Sequence, residues 1–333
     1  MIADSLIAAF AARYAGHDPW SMLPLQGDAS TRRYFRLSAG STACIVCHDP
    51  LLETVSPDAY PFFLVHALLH DHAIRVPAIL ASEPEHGLLL LEDCGDLLLQ
   101  DLVPALSSDE ILLRYQGILE QLVSLQAIRG PSTSLPFSLA FDHEKLMFEW
   151  DFFIEHALRG MFRELMNEKV IAQFRQEVIL ITDNLVRPDR FVLNHRDFHS
   201  RNIMIVNDQP VFIDFQDARM GLPQYDAVSL LRDSYVSLQP EHSTALRDYH
   251  ASLLRQAGLS SMSTDEYLYY YYLMAFQRNI KAIGTFCYQI MVRENRQFAS
   301  SITTTLRYIP DYLDALPELR AAGALLAPLL ERS

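Results

Sequence analysis

The sequence reads as an α+β protein with a small β-rich lobe followed by a large helical lobe. Three observations point there. Segments of alternating polarity crowd the first ninety residues, helical periodicity dominates from residue 97 onward, and a β-rich island at 191–215 interrupts the helices. With 333 residues, half of them hydrophobic and 11% aromatic, the chain can bury a sizeable core and is long enough for two domains. The expected boundary leaves 1–94 as the first lobe and 95–333 as the second.

Each element has a local reason. The first eighteen residues, MIADSLIAAFAARYAGHD, read as an amphipathic helix. They do not resemble a secretory leader, because Asp4 and Arg13 interrupt the apolar part and no basic stretch precedes it. Arg33–Ser38 and Thr42–His48 alternate on either side of Ala39-Gly40, the pattern of a β-hairpin. Pro57 to His72 has an early Pro and apolar residues at 62, 63, 65, 68 and 69, which predicts a helix. Val76–Ala81 and Leu88–Glu92 follow as two strands around a turn at 83–87. The first lobe therefore reads β, β, α, β, β after its leading helix. In the second lobe, Ser107 and Ser108 before Asp109-Glu110 make a helix start, with acids placed to complement the dipole. Residues 130–134 form a loop. Helical patterns run over 142–159 and 163–186, then 226–238, 241–257, 264–285, 291–308 and 316–331. In the fifth of these, Tyr267 and Tyr269 to Tyr272 cannot share one face and read as packing residues.

Charge and composition exclude several functions. The chain carries 27 basic and 41 acidic residues, a net −14, with no basic run of five. That is the wrong balance for a nucleic-acid binder. No stretch nears the ~18 apolar residues of a membrane span. A soluble, cytoplasmic protein is expected, as a monomer or weak dimer. Cys44 and Cys47 have CxxC spacing, but on a strand they face opposite sides and no second pair follows, so reduced thiols are expected. His66 and His70 share a helix face without the intervening Glu of a zinc motif.

The island carries the chemistry. It runs from Phe191 through His195, Asp197, His199 and Asn202, turns at 207–210, and ends near Ile213-Asp214-Phe215. His195-Arg-Asp197 with Asn202 matches H-R-D-x-x-x-x-N, and Asp214 follows twelve residues after Asn202, at the end of an apolar strand. Phosphoryl transfer needs a nucleotide phosphate, a divalent cation and an acceptor hydroxyl held in line. Asp197 can orient the hydroxyl and accept its proton, as the catalytic base. Asn202 and Asp214 offer the hard oxygens that suit Mg²⁺.

On these motifs the chain resembles the aminoglycoside phosphotransferase/choline kinase-like group, the small-molecule branch of the protein-kinase-like two-lobe fold. Within it, Gly27–Arg36, Leu193–Asn202 and Ile213–Arg219 are similar to the bacterial cell-wall amino-sugar kinases. That subgroup phosphorylates the anomeric hydroxyl of N-acetylmuramate and N-acetylglucosamine with ATP, in peptidoglycan recycling. The resemblance implies ATP and Mg²⁺ as cofactors and a small sugar as partner. It implies nucleotide contacts from Gly27, Ser30, Thr31, Arg32 and Arg33. It also makes Leu89–Gly95 a hinge, where backbone groups at Glu92 to Cys94 bond the adenine edge. Asp226 resembles the helix-start aspartate that holds the catalytic loop. For the acceptor, His199, Asp217, Arg219 and Glu149 are the candidates. The island's arginines and acids nearly balance, which favours an amino sugar over a polycation.

One departure matters. Kinases hold the α/β-phosphates with a lysine on the third strand, paired with a glutamate on the next helix. This chain has three lysines, Lys145, Lys169 and Lys281, and none before residue 145. Either the protein is a silent nucleotide-binding module, or arginines such as Arg32, Arg33 or Arg36 and backbone amides grip the phosphates instead. The second reading is preferred, since Asp197, Asn202 and Asp214 are all kept.

Overall fold

The structure, a computed structural model, describes residues 2–16, 19–25 and 32–331. In chain order its main elements begin with α1 (Ile2–Ala15), β1 (Trp20–Leu25), β2 (Arg33–Ala39) and β3 (Thr42–His48). Next come α2 (Pro61–Asp71), β4 (Ile79–Glu83), β5 (Leu88–Glu92), α3 (Leu99–Leu102), α4 (Ser108–Gln126), α5 (His143–Phe153) and α6 (Glu168–Leu185). The island supplies β6 (Val192–Asn194), β7 (Ile203–Val206), β8 (Gln209–Phe212) and β9 (Arg219–Gly221). The last helices are α7 (Gln224–Leu231), α8 (Pro240–Gln256), α9 (Thr264–Met291), α10 (Ala299–Leu306), α11 (Ile309–Ala315), α12 (Arg320–Leu325) and α13 (Ala327–Leu330).

The chain divides into two units, Met1–Leu97 with Ile203–Gln216, and Leu98–Asn202 with Asp217–Ser333. The second lobe was expected to hold all of 95–333. Instead, the segment 203–216 joins the first unit through long-range backbone bonds. The Ile205 amide donates to the Leu97 carbonyl at 2.9 Å, and the Phe212 amide donates to the Arg75 carbonyl at 2.9 Å. Phe215 also packs its ring on Phe62, centroids 4.9 Å apart.

In the first unit, five strands pair in the order β1-β2-β3-β5-β4. The β2–β3 hairpin turns at Gly40, whose φ of 56° suits glycine. The sheet adds β1, which the sequence reading did not contain. Its six residues, WSMLPL, do not alternate, and Pro24 removes a ladder donor. Such a strand is tolerated at an edge, where β1 lies. The strand expected at 76–81 begins later, at Ile79, with a register shift between Ile79 and Ala81. Against one sheet face α1 buries Ile7, Phe10 and Ala11, which pack with Leu37, Val46 and Leu90.

The second unit is helical. A reciprocal capping box fixes the start of α4: the Glu110 amide donates to Ser107 Oγ, and the Ser107 amide donates to the Glu110 carboxylate. Asp142 Oδ1 accepts the Lys145 amide at 2.8 Å and sets where α5 begins. α5 continues into a π-helical segment, Ile154–Met161. The 28-residue α9 is the spine, its buried face running from Tyr267 to Gln289. A β-carbon at Gly284 would sit 2.6 Å from the Phe153 backbone, so glycine permits the close approach of α9 to the end of α5. Of the five clustered tyrosines, Tyr267, Tyr270 and Tyr271 are buried in this core, and Tyr269 and Tyr272 pack against it. Among the described residues, no helix is long and apolar enough to cross a membrane.

Candidate active site

The H-R-D loop lies in the second unit, between the two-stranded β6–β9 sheet and the short 3₁₀ turn Ser200–Asn202. Two buried carboxylates clamp it. Asp226, in the first turn of α7, accepts the His195 amide at 2.6 Å and the Arg196 amide at 3.0 Å. Asp233 accepts the Ser200 amide at 2.8 Å. Burial pushes the Asp226 carboxyl up to about 7, against the two amides, which favour its charged form. Arg196 has φ of 84°, a left-handed conformation that is costly for a residue with a β-carbon, and the Asp226 bond to its amide helps hold it there.

Asp197 projects from this clamped loop. Lys281 Nζ, from α9, stands 3.5 Å from its Oδ1, and Arg196 Nε stands 3.9 Å from its Oδ2. Burial opposes ionisation of Asp197, but Lys281 and Arg196 outweigh it and hold the carboxyl well below the usual carboxylate range. The group is therefore an anion at neutral pH. Asn202 donates its Nδ2 to the Asp197 carbonyl at 2.9 Å, which commits the nitrogen and keeps the amide oxygen as the acceptor.

The acceptor candidates separate. Arg196 Nη1 binds Asp217 Oδ2 at 2.7 Å, and Arg219 lies 3.9 Å from the same carboxylate. Glu149 is buried on α5 and accepts Gln277 Nε2 at 2.9 Å. Gln277 precedes Lys281 by one turn of α9, so Glu149, Asp197, Asp217 and Arg219 belong to one charged region of this unit. His199 stands edge-on to Tyr235, centroids 5.2 Å apart. Burial, with Arg278 adding to it, lowers His199 to about 3, so the ring is neutral. Asp151, an alternative on the same helix, pairs with exposed Arg175 at 2.8 Å.

The first unit holds the remaining candidates. Asp214 takes a left-handed backbone, φ 66°, just after β8, and its Oδ1 accepts Gln216 Nε2 at 2.9 Å. Arg32 Nε donates to Asp49 Oδ2 at 2.7 Å, and Tyr60 donates its hydroxyl to the same oxygen at 2.5 Å. Arg32 stays fully charged despite burial, because Tyr34 and Asp49 favour its cation. Tyr34 is also within the electrostatic reach of Asp214, so Arg32 and Asp214 share one neighbourhood. Arg33 points elsewhere: its Nη2 donates to Asp4 Oδ1 of α1 at 2.7 Å, with both side chains exposed. Arg36 binds Asp93 at 2.6 and 3.0 Å and the Gly95 carbonyl at 3.1 Å. Glu92 is held by Arg75 and by the Ala78 amide at 3.0 Å, so its side chain is spent on structure. Cys94 is buried, and burial lifts its thiol to about 11. Gly27, Ser30 and Thr31 lie outside the described residues. All four cysteines are free thiols, and Cys47 is buried and lifted to about 12. His66 bonds the Pro77 carbonyl at 3.0 Å and stacks on His70, consistent with a packing role.

Two features escaped the sequence reading. Lys281 belongs to no motif, and the polar residues Gln277, Arg278, Asn279 and Lys281 inside an otherwise apolar helix are the available signal. Asp49 and Asp233 gave none, since their partners are 17 and 33 residues distant.

Two lobes of this construction, with a clamped H-R-D loop and an aspartate after a short hairpin, define a phosphotransferase. Residues 21–260 match the model of the phosphotransferase enzyme family. The chain belongs to that family, and it is an enzyme of the kinase class. It is 32% identical over 314 residues to an N-acetylmuramate/N-acetylglucosamine kinase of Pseudomonas aeruginosa, covering 93% of this chain and 89% of the relative. A protein of the same name from Neisseria meningitidis is 29% identical over 312 residues, covering 91% and 89%. Among solved structures, a choline kinase from Cryptosporidium parvum superposes with a TM-score of 0.63 at 14% identity, covering 98% of each chain. An ADP-bound aminoglycoside phosphotransferase superposes with a TM-score of 0.61 at 14% identity, covering 95% of this chain and 99% of that one. The structural likenesses show the fold.

Proposed function

We propose that this enzyme transfers the γ-phosphoryl group of ATP to the anomeric hydroxyl of N-acetylated amino sugars, N-acetylmuramate and N-acetylglucosamine. The observation that carries this reading is Asp197, kept ionised by Lys281 at 3.5 Å on a loop clamped by Asp226. Its carboxylate accepts the hydroxyl proton as the sugar oxygen attacks phosphorus, and the loop fixes the direction of approach. The acceptor named in the relatives supports the choice of sugar.

Asn202 and Asp214 suit a divalent cation: both present hard oxygens, and the Asn202 nitrogen is already committed elsewhere. Each would serve as a ligand to Mg²⁺, which would neutralise charge on the phosphates. Arg32 takes the part of the missing strand lysine, and its pair with Asp49 stands for the lysine–glutamate pair. Backbone groups of Glu92 to Cys94 take the adenine edge.

A coupled ADP-release screen over N-acetylmuramate, N-acetylglucosamine, aminoglycosides, choline and homoserine, with Mg²⁺ present, tests this. ADP release with the two amino sugars is expected. Release only with another acceptor would replace the substrate, and no release with any would favour a silent nucleotide-binding module.

A further inference from the structure

The corner where α5, β9 and α9 meet holds more positive than negative charge. The Phe141 amide donates to the Met220 carbonyl at 2.8 Å, which docks the start of α5 on β9. Arg219, next to Met220, lays its guanidinium on the Phe141 ring, 5.5 Å from the centroid. Lys145 stands one turn into α5, over the Phe148 ring at 4.9 Å. Its nearest carboxylate, Glu149, is 3.8 Å away, too long for a hydrogen bond, and Glu149 is already engaged by Gln277 at 2.9 Å. Arg196 takes Asp217 at 2.7 Å and Lys281 takes Asp197 at 3.5 Å. Arg219 is left, among the described residues, with the 3.9 Å approach to Asp217 and one bond from its Nε to the Asp217 carbonyl at 3.2 Å. Four cations thus face three carboxylates, and the two loosely paired cations are Lys145 and Arg219. Both have side chains no more than 22% exposed. Cations kept from water without a close partner are costly unless an anion arrives.

We propose that Lys145 and Arg219 receive the carboxylate of an acidic sugar and so determine how well the enzyme discriminates it from a neutral one. This rests on the amino-sugar reading above and deepens it. The two sugars share the anomeric hydroxyl and the N-acetyl group, and the muramate differs by a lactyl ether that ends in a carboxylate. A planar guanidinium and an ammonium converging on that group make charge-assisted bonds that the neutral sugar cannot return. Burial, and repulsion from Arg196, Arg219 and Lys281, lower Lys145 from its usual value, while Glu149 pulls the other way. Burial and Arg196 lower Arg219.

The test compares kcat/KM for N-acetylmuramate and N-acetylglucosamine in the full chain and in Lys145→Met, Lys145→Arg and Arg219→Gln, with the KM for ATP measured alongside. In Lys145→Met and Arg219→Gln the ratio of acidic to neutral sugar falls by about tenfold or more, the usual worth of a bond to a charged group. Lys145→Arg restores most of the ratio. Equal losses on both sugars, or a rise in the KM for ATP with the ratio unchanged, would overturn the assignment and give these cations to the nucleotide or to structure. A wild-type enzyme inactive on both sugars would instead overturn the amino-sugar reading itself.

Discussion

The two units treat their cations differently. In the first unit, Arg32 is held by Asp49, a carboxylate also bonded by the Tyr60 hydroxyl and the Leu51 amide. Arg36 and Arg75 are likewise matched to Asp93 and Glu92. In the second unit, Lys145 and Arg219 lie at 3.8 and 3.9 Å from carboxylates that have closer partners. Matched pairs position a charge rigidly, which suits a nucleotide phosphate that always arrives in the same form. Loosely matched cations leave charge for the ligand to complete, which suits an acceptor whose chemistry varies. Under the proposed reading, the difference also accounts for a kinase without lysine before residue 145: an arginine held by a carboxylate would take the lysine's place.

The contrast can be broken at several points. Asp197→Asn removes the proposed base while keeping its shape, and kcat should fall by about 10²–10⁴ with ATP affinity nearly retained; turnover near wild type would take the role from Asp197. Arg32→Met should act next, raising the KM for ATP by roughly tenfold to a hundredfold, because the Asp49 carboxylate is left without its cation beside the phosphates. Nucleotide titration calorimetry reads this directly, and unchanged ATP binding would place the phosphate grip elsewhere. Lys281→Met should lower kcat by a smaller factor and alter the pH profile. Asp197 must be ionised to act, so activity is present above its pKa and lost as pH falls through it. Lys281 now holds that pKa well below the usual range. Without the ammonium, one of the charges that offset burial is lost and the pKa rises, so the acidic limb of kcat moves to higher pH. An unmoved limb would make Lys281 a packing residue.

Much of this was legible in local sequence. The hairpin at Gly40, the capped start of α4 and the H-R-D loop all depend on residues within a few positions of one another. The Asp226 clamp reaches 30 and 31 residues back and is legible only through the family that the loop motif resembles. What escaped depended on register or distance. Pro24 hid β1, since an edge strand tolerates a proline that pattern reading counts against a strand. The Arg32–Asp49 pair spans 17 residues and exists because β2 and β3 align Arg33 with His48. The Lys281–Asp197 approach needs α9 to pass over the loop, which no local pattern states. The segment 203–216 was placed with the second lobe because it follows the catalytic loop in sequence, whereas its backbone partners Leu97 and Arg75 lie in the first.

Phosphate transferred to the anomeric oxygen of an amino sugar sits directly on the sugar's first carbon. Incubating the enzyme with ATP, Mg²⁺ and N-acetylglucosamine carrying ¹³C at its first carbon, and following the reaction by ¹³C and ³¹P NMR, tests that transfer most directly. The labelled carbon is expected to couple to the new phosphorus. Phosphate on any other sugar carbon, or no sugar phosphate while an alternative acceptor is consumed, would contradict it.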